Sequence, residues 1–132
     1  MGKMVHTDKI LGVLESAIRY LVNSITSLKS MNAEAFSNSV WRVAAELEYA
    51  LFLFSLTIEN GQEALLKLNP EPRNLQLDKI LLGVKDLIRG AQEYFKNGDL
   101  LNAFRNVRLA RHYIFYVQNI LAKRGRKGTE ER

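Results

Sequence analysis

Apolar residues recur along most of this chain at alternating spacings of three and four positions, which is the period of one face of an α-helix. Four separate segments carry such a stripe. In chain order the stripes are Leu11, Leu14, Ile18, Leu21, Ile25 and Leu28; Phe36, Val40, Val43, Leu47, Ala50 and Phe54; Leu77, Leu81, Val84, Ile88, Ala91 and Phe95; and Leu100, Ala103, Val107, Ala110, Ile114, Val117 and Leu121. The pattern predicts an all-α chain of four amphipathic helices.

Polar and helix-breaking residues separate the four stripes. Thr7 and Asn32 stand where the first and second helices should begin, and both residue types cap helix N-termini. Before the fourth stripe, Gly98 suits the left-handed position after a helix and Asp99 suits the N-cap of the next one. We expect the fourth helix to stop before Gly125.

Short turns should join the four helices in pairs. They predict two helical hairpins, residues 7–68 and 75–122, with the proline-containing linker 69–74 between them. Long amphipathic helices with short turns pack antiparallel at shallow crossing angles. The sequence therefore predicts an antiparallel four-helix bundle.

The bundle should form one domain, residues 1–122, followed by a tail. Residues 123–132 consist mostly of Gly, Lys, Arg and Glu, so we expect a flexible, disordered basic tail. Shifting the first half of the chain by 67 positions lays its stripes on those of the second half. This match fits an internal duplication, and it equally fits any two amphipathic hairpins of the same length.

Two local patterns predict further contacts, one between charged side chains and one around an apolar run. Arg42 with Glu46, and Arg89 with Glu93, have the spacing of ion pairs within one helix. The run 51–56 is apolar nearly all round, so we expect helices or a second subunit to cover it on more than one side.

The composition narrows the class of protein. A chain of 132 residues with 47% hydrophobic and 25% charged residues fits one ordinary globular domain. The absence of cysteine excludes disulfides, thiolate metal sites and cysteine nucleophiles. No uncharged apolar run approaches the ~20 residues that span a bilayer, and the charged N-terminus is unlike a signal peptide. We expect a soluble cytoplasmic protein with no membrane partner.

The positive charge is concentrated near the C-terminus. Residues 1–99 hold 11 Lys/Arg against 12 Asp/Glu, a balance of −1, although the whole chain carries +5. Residues 100–129 contain no acidic residue. Such asymmetry is typical of proteins that bind phosphate backbones, anionic membranes or acidic partners, and it also occurs in basic tails that only improve solubility.

Most catalytic and cofactor patterns are absent from the sequence. There is no glycine-rich phosphate loop and no EF-hand loop. His6 and His112 are the only histidines, and no helix carries a Glu-x-x-His pair, so we expect no metal site and no cofactor.

One arrangement on the fourth helix combines basic and aromatic groups. Arg105, Arg108, His112, Tyr116 and Lys123 fall within about a third of the helix circumference. Cations neutralise phosphates, tyrosine stacks on unpaired bases, and histidine can act as a general acid or base on a ribose hydroxyl. The same face lies opposite the apolar stripe, where any amphipathic helix carries long polar side chains.

The residues Arg105, Asn106 and His112 resemble the Arg-x(4–6)-His motif of the HEPN superfamily of nucleotide-binding and ribonuclease domains. The hairpin over residues 94–103 is also similar to hairpins in archaeal HEPN-like and uncharacterised helical families. The resemblance implies a homodimer in which the Arg and His of two subunits meet and cleave RNA without a metal. Arg105 would then hold the phosphate and His112 would transfer the proton. In that family the hairpin comes early in the domain, whereas here it comes last.

Three functions follow from these observations. The first is a small, non-enzymatic binding or assembly module that contacts RNA or DNA backbone through Arg105, Arg108, Arg111, Tyr116, Lys123, Arg124, Arg126 and Lys127. The second is the HEPN-like ribonuclease, with Arg105 and His112 as catalytic residues. The third is a structural homo-oligomer, with a dimer interface formed by Trp41, Phe52 and Phe54 or by Phe104 and Phe115.

Overall fold

The computed structural model describes residues 2–57 and 76–130, with side chains from 8 to 57 and from 76 to 123. It contains four helices: α1 (Gly2–Lys29), α2 (Ala33–Ser55), α3 (Leu77–Lys96) and α4 (Leu100–Glu130). No β-strand occurs in the two described ranges. The prediction of an all-α chain with four helices is confirmed.

The two hairpin turns have the same hydrogen-bonded geometry. After α1, the N–H of Asn32 donates to the Ser27 carbonyl (3.0 Å) and the N–H of Met31 donates to the Leu28 carbonyl (3.1 Å). After α3, the Asp99 and Gly98 N–H groups donate to the Tyr94 and Phe95 carbonyls, 67 positions further along the chain. Both turns are Schellman motifs, in which a residue with positive φ ends the helix.

The predicted N-caps at these turns are confirmed. Asn32 Oδ1 accepts a hydrogen bond from the Ala35 N–H at 3.1 Å, and Asp99 Oδ1 accepts one from the Asn102 N–H at 3.2 Å. Each cap satisfies one of the backbone donors that the first turn of a helix leaves unpaired. The cap chemistry that the sequence shows is therefore enough to locate the start of α2 and α4.

The outer ends of α1 and α4 differ from the prediction. The first helix begins at Gly2, so Thr7 lies inside it and is not its N-cap. The fourth helix continues past Gly125 to Glu130, where the sequence predicts a flexible tail. Once a helix is formed, each added residue gains one backbone hydrogen bond at little cost, and lysine and arginine are good helix formers near a C-terminus.

The helices form a bundle in which every adjacent pair is antiparallel. The pairs in contact are α1 with α2, α3 with α4, α2 with α4 and α1 with α3, so α1 lies diagonally across from α4. Phe54, near the end of α2, packs against Phe95 and Phe104 beside the second turn. Leu121, late in α4, lines the same groove as Leu28 at the first turn. The two turns therefore lie at opposite ends of the bundle.

This arrangement makes α2 and α3 parallel to each other across the diagonal. The end of α2 lies at the second turn, and the start of α3 lies at the opposite end, beside the first turn. The first described range therefore ends, at residue 57, at the end of the bundle opposite the one where the second range begins, at residue 76. The predicted linker 69–74 and the predicted extension of the first hairpin to residue 68 lie outside the described residues.

Most of the predicted apolar stripes form the core. The α2 stripe is wholly buried, and the α3 and α4 stripes are buried except for the half-buried Leu77, Leu100 and Leu121. The buried face of α1 is rotated from the prediction, since Ile10, Val13 and Ala17 are buried while the predicted Leu11, Ile25 and Leu28 are only partly covered.

The five aromatic residues proposed for a dimer interface divide into two groups. Phe54 and Phe104 are core residues, with ring centroids 5.7 Å apart. Trp41, Phe52 and Phe115 are exposed, at 62%, 57% and 48% of their surface.

The cations predicted to pair within their own helices interact between helices instead. Arg89 Nη1 donates to Glu15 Oε2 of α1 at 3.2 Å, and the buried Gln92 amide donates to the same oxygen at 2.9 Å. Arg42 places its guanidinium 5.4 Å from the ring centroid of Tyr20 on α1. Each of these contacts joins residues on two different helices, which is why the spacing within one helix did not predict them.

Candidate nucleic-acid interface on α4

The predicted site residues occupy the part of α4 that faces away from the core. Arg105 and Lys123 are exposed, and within the described residues neither has a hydrogen bond or an ion pair. They are 18 residues apart, which corresponds to about 27 Å along a helix. Tyr116 lies between them and is half-buried. The exposed cations therefore span most of the length of the described α4.

Arg108, Arg111 and His112 come together at the boundary between α2 and α4. With Leu51 and Phe115 they line a cavity of about 190 Å³. All three are half-buried. Two arginines and one histidine therefore line the same open depression, and one of these arginines is paired with a carboxylate.

Arg111 is paired with an acidic residue of the neighbouring helix. Its Nε donates to Glu48 Oε1 at 3.1 Å, and its Nη2 also contacts that oxygen. The guanidinium lies 5.4 Å from the Phe115 ring centroid as well. Since Glu48 balances its charge, Arg111 adds less attraction for a polyanion than its position on α4 predicts.

Arg108 uses one face of its guanidinium against an aromatic ring. Its Cζ lies 5.8 Å from the centroid of the Phe104 ring. A cation held over a ring keeps its positive charge. This contact fixes the direction in which the Arg108 side chain extends from α4.

The catalytic candidates Arg105 and His112 lie two helical turns apart. That spacing corresponds to a rise of about 10 Å, and no hydrogen bond joins the two side chains. The His112 ring packs 6.2 Å from that of Tyr113. Within the described residues, no carboxylate orients the imidazole, so the geometry of one chain does not bring His112 and Arg105 together at one phosphate.

Asn106, the polar residue of the resemblance, has a structural contact. Its Nδ2 donates to the Leu87 carbonyl of α3 at 3.2 Å. A Cβ built on Gly90 would lie only 2.7 Å from that nitrogen, so glycine at this position gives the amide its space. The Asn106 side chain therefore holds α4 against α3.

The remaining predicted cations, Arg124, Arg126 and Lys127, lie on the last part of α4. Their backbone is helical, and their side chains are outside the described set. A continuous helix still fixes their axial positions, which follow directly on Lys123. Their place on α4 extends the basic segment toward the end of the chain.

The described residues add two further findings. In the parts of the chain that the structure covers, no three His, Asp or Glu side chains come close enough to hold a metal ion. None of the helices in those same ranges combines the length and the apolar content that crossing a bilayer requires.

Sequence reasoning missed Glu48 as the partner of Arg111. The two residues are 63 positions apart, and each looks like an ordinary surface charge on its own helix. Only the contact between α2 and α4 reveals the pair. No signal in a single sequence identifies it.

Comparisons with protein-family models, with curated proteins and with solved structures found no match.

Proposed function

We propose that this chain is a nucleic-acid-binding helical bundle that contacts the phosphate backbone through the outward face of α4. The observation that supports it is the arrangement of exposed cations: Arg105 and Lys123 lie at the two ends of a segment that contains no acidic residue. The other three helices together carry nine Lys/Arg against eight Asp/Glu, so their charges nearly cancel. Polyanion affinity is therefore concentrated on one helix.

The binding mode follows from the chemistry of that face. Its cations lie along about 27 Å, which corresponds to about eight base-pair steps of a duplex. No device for reading base edges is present in the sequence, so binding should depend on backbone shape and charge more than on sequence. Tyr116 offers one ring for stacking on an unpaired base, which favours single strands.

Fluorescence anisotropy of labelled single-stranded RNA, single-stranded DNA and duplex DNA over a salt series tests this proposal. Five phosphate contacts from one chain to a duplex predict a log–log salt slope of about −4 to −5. Replacing both Arg105 and Lys123 by Gln should reduce the magnitude of the slope by about 1.8 for each chain that contacts the duplex. Lys9→Gln is the matched control, because Lys9 is an exposed cation on α1, diagonally across the bundle. Absence of binding at low salt, or an unchanged slope in the double variant, would overturn the proposal.

A metal-independent ribonuclease of the HEPN type is the second candidate. The observation that favours it is the cavity shared by His112, Arg108 and Arg111, which would place a phosphate group beside an imidazole. Incubating labelled RNA with the protein in the presence of EDTA tests it. The hypothesis requires cleavage that His112→Ala abolishes while the helical content is unchanged, and His112→Ala with full activity would remove it.

A further inference from the structure

Large apolar side chains lie on the face of α2 that points away from the core, among the exposed polar residues Glu34, Asn38, Arg42 and Glu48. They are Trp41, Tyr49 and Phe52, with Leu56 at the C-cap of the helix, and they are 62%, 43%, 57% and 52% exposed. Ala45 is exposed on the same face. The core residues of α2 occupy the opposite side, where the bundle covers them. A surface helix ordinarily carries polar side chains on its outward face, so this second stripe has a different role.

The exposed stripe matches in size the largest apolar patch of a typical monomer, and such patches are often functional. With large apolar side chains contributing roughly 200 Å² each, the exposed fractions leave roughly 450 Å² of apolar surface on one chain. Phe115 on α4, 48% exposed, borders it near the Arg111–Glu48 pair. Two such faces packed together would bury on the order of 1,000 Å², which is about what a specific protein interface needs.

The spacing of the stripe is symmetric about its centre. The stripe comprises positions 41, 45, 48, 49, 52 and 56. If the helix is turned end for end about the midpoint between 48 and 49, each of these positions falls on another position of the stripe. In an antiparallel pair of α2 helices, Trp41 would therefore lie opposite Leu56 of the second copy. The small Ala45 would likewise lie opposite the large Phe52, which is the complementarity that close packing requires.

The charge at the centre of the stripe also permits self-association. Glu48 is the acidic residue of the stripe, and two copies of it would approach each other at the two-fold axis. Arg111 of the same chain neutralises it through two contacts to one oxygen. Charged residues are depleted at the centre of interfaces because an uncompensated charge is costly to bury, and this pair meets that requirement.

From these observations we infer that the protein forms a symmetric homodimer through the outward face of α2, with the two α2 helices antiparallel. A two-fold axis perpendicular to α2 and lying in the interface leaves both α4 helices on the same side of the dimer. The two basic faces would then flank one shared cleft. This last consequence rests on the proposed nucleic-acid binding, whereas the dimer itself does not.

The mass in solution is the first test. Sedimentation equilibrium should give about twice the 15.1 kDa of one chain at micromolar concentration. Phe52→Glu should weaken the dimer by at least about 100-fold, because each substitution occurs twice in a symmetric interface. Leu82→Glu is the matched control, since Leu82 is a 48% exposed apolar residue on α3, and this variant should remain dimeric. Circular dichroism confirms that both variants keep their helices.

Disulfide crosslinking tests the antiparallel orientation, because the chain has no cysteine of its own. Tyr49→Cys lies next to the two-fold axis and should crosslink to itself on oxidation. Trp41→Cys should not, since the two copies of position 41 would be about 22 Å apart along the helices. Crosslinking of both variants would indicate parallel helices and overturn the inferred orientation.

Trp41 reports directly on what covers the stripe, because it is the chain's one tryptophan. Its emission should move to longer wavelength on dilution, with the same midpoint as the change in mass. A constant mass of 15.1 kDa at all concentrations would overturn the proposal. In that case a blue-shifted emission would point to cover by another part of the same chain, and a red-shifted emission to a different protein partner.

Discussion

Replacing Met31 by glycine should stabilise the bundle. Met31 ends α1 with a φ of 58°, in the left-handed region, and its side chain is 90% exposed. The substitution therefore removes backbone strain without removing packing. The left-handed conformation costs an L-residue roughly 1–2 kcal/mol, and the extra entropy that glycine loses on folding offsets roughly 0.5–1 kcal/mol of the gain. We expect a net stabilisation of about 0.5–1 kcal/mol.

The second turn provides the matched comparison. Gly98 occupies the same place in the same hydrogen-bonded motif, with a φ of 81°. A Cβ added there would meet no atom within 4 Å, so Gly98→Ala changes the backbone preference and nothing else. It should destabilise the protein by about 1 kcal/mol, opposite in sign to Met31→Gly.

Urea denaturation followed by circular dichroism measures both effects. Each variant should shift the midpoint and leave the slope unchanged, since the surface exposed on unfolding is the same. For a chain of this length a change of 1 kcal/mol corresponds to about 4 °C in Tm. If Met31→Gly and Gly98→Ala both lowered the midpoint, the positive φ of Met31 would not destabilise the first turn, and the predicted backbone strain would be refuted.

Three further variants test the packing between helices. Gly90→Ala should be neutral or destabilising in the native chain, because the added Cβ would lie 2.7 Å from the Asn106 amide. In an Asn106→Ala background this clash is gone, so Gly90→Ala should stabilise the protein by up to ~1 kcal/mol through the helix preference of alanine. Equal effects in both backgrounds would contradict this. Phe54→Ala should lower the free energy of unfolding by about 3–5 kcal/mol, because removing a fully buried ring that contacts two others leaves a cavity. A loss below about 1 kcal/mol would contradict the packing of these three rings in the core. The hydrogen bond from Gln92, opposed by partial burial and reinforced by nearby arginines, lowers the pKa of Glu15. A lowered folded-state pKa makes the carboxylate stabilising above its unfolded pKa, and this contribution is lost as the pH falls through the folded-state value. Glu15→Gln should therefore flatten the stability profile on the acid side of the ordinary glutamate pKa, and an unchanged profile would count against the network.

The parts of the fold that the sequence predicted are those that depend on local chemistry. The stripes of α2, α3 and α4 follow from the helical period, and Asn32 and Asp99 are recognisable caps. The start of α1 at Gly2 was not predictable from Thr7, because a cap residue is also tolerated inside a helix that has already formed. The run of helix beyond Gly125 was missed for the same reason.

The direction of the helices and the identity of the ion pairs depend on tertiary contacts. Nothing in the spacing of charges selects Glu15 as the partner of Arg89, 74 positions away, over the nearby Glu93. The placement of α2 and α3 on a diagonal of the bundle was equally hidden. These features require knowledge of which helices are neighbours.

The outward stripe of α2 depends both on local sequence and on tertiary contacts. Trp41 and Phe52 were proposed for an interface because they are aromatic, together with Phe54, which is a core residue. The helical period identified the stripe of α2 that faces the core, but it did not show whether neighbouring helices also cover the other side of the helix. The bundle settles this, because Val40, Val43 and Leu47 are fully buried while Trp41 and Phe52 remain more than half exposed.

The two proposed surfaces meet at the Arg111–Glu48 pair, and this junction allows them to be tested separately. Arg111 belongs to the basic helix but is neutralised by the α2 stripe, so it should contribute to the dimer and little to the salt dependence of binding. If both proposals hold, Phe52→Glu should produce a monomer whose salt slope is about half that of the dimer, since one α4 is lost from the shared cleft. If the protein dimerises without binding nucleic acid, the α2 inference stands and the α4 proposal fails. If it binds nucleic acid as a monomer with an unchanged slope in Phe52→Glu, the α4 proposal stands and the dimer is refuted.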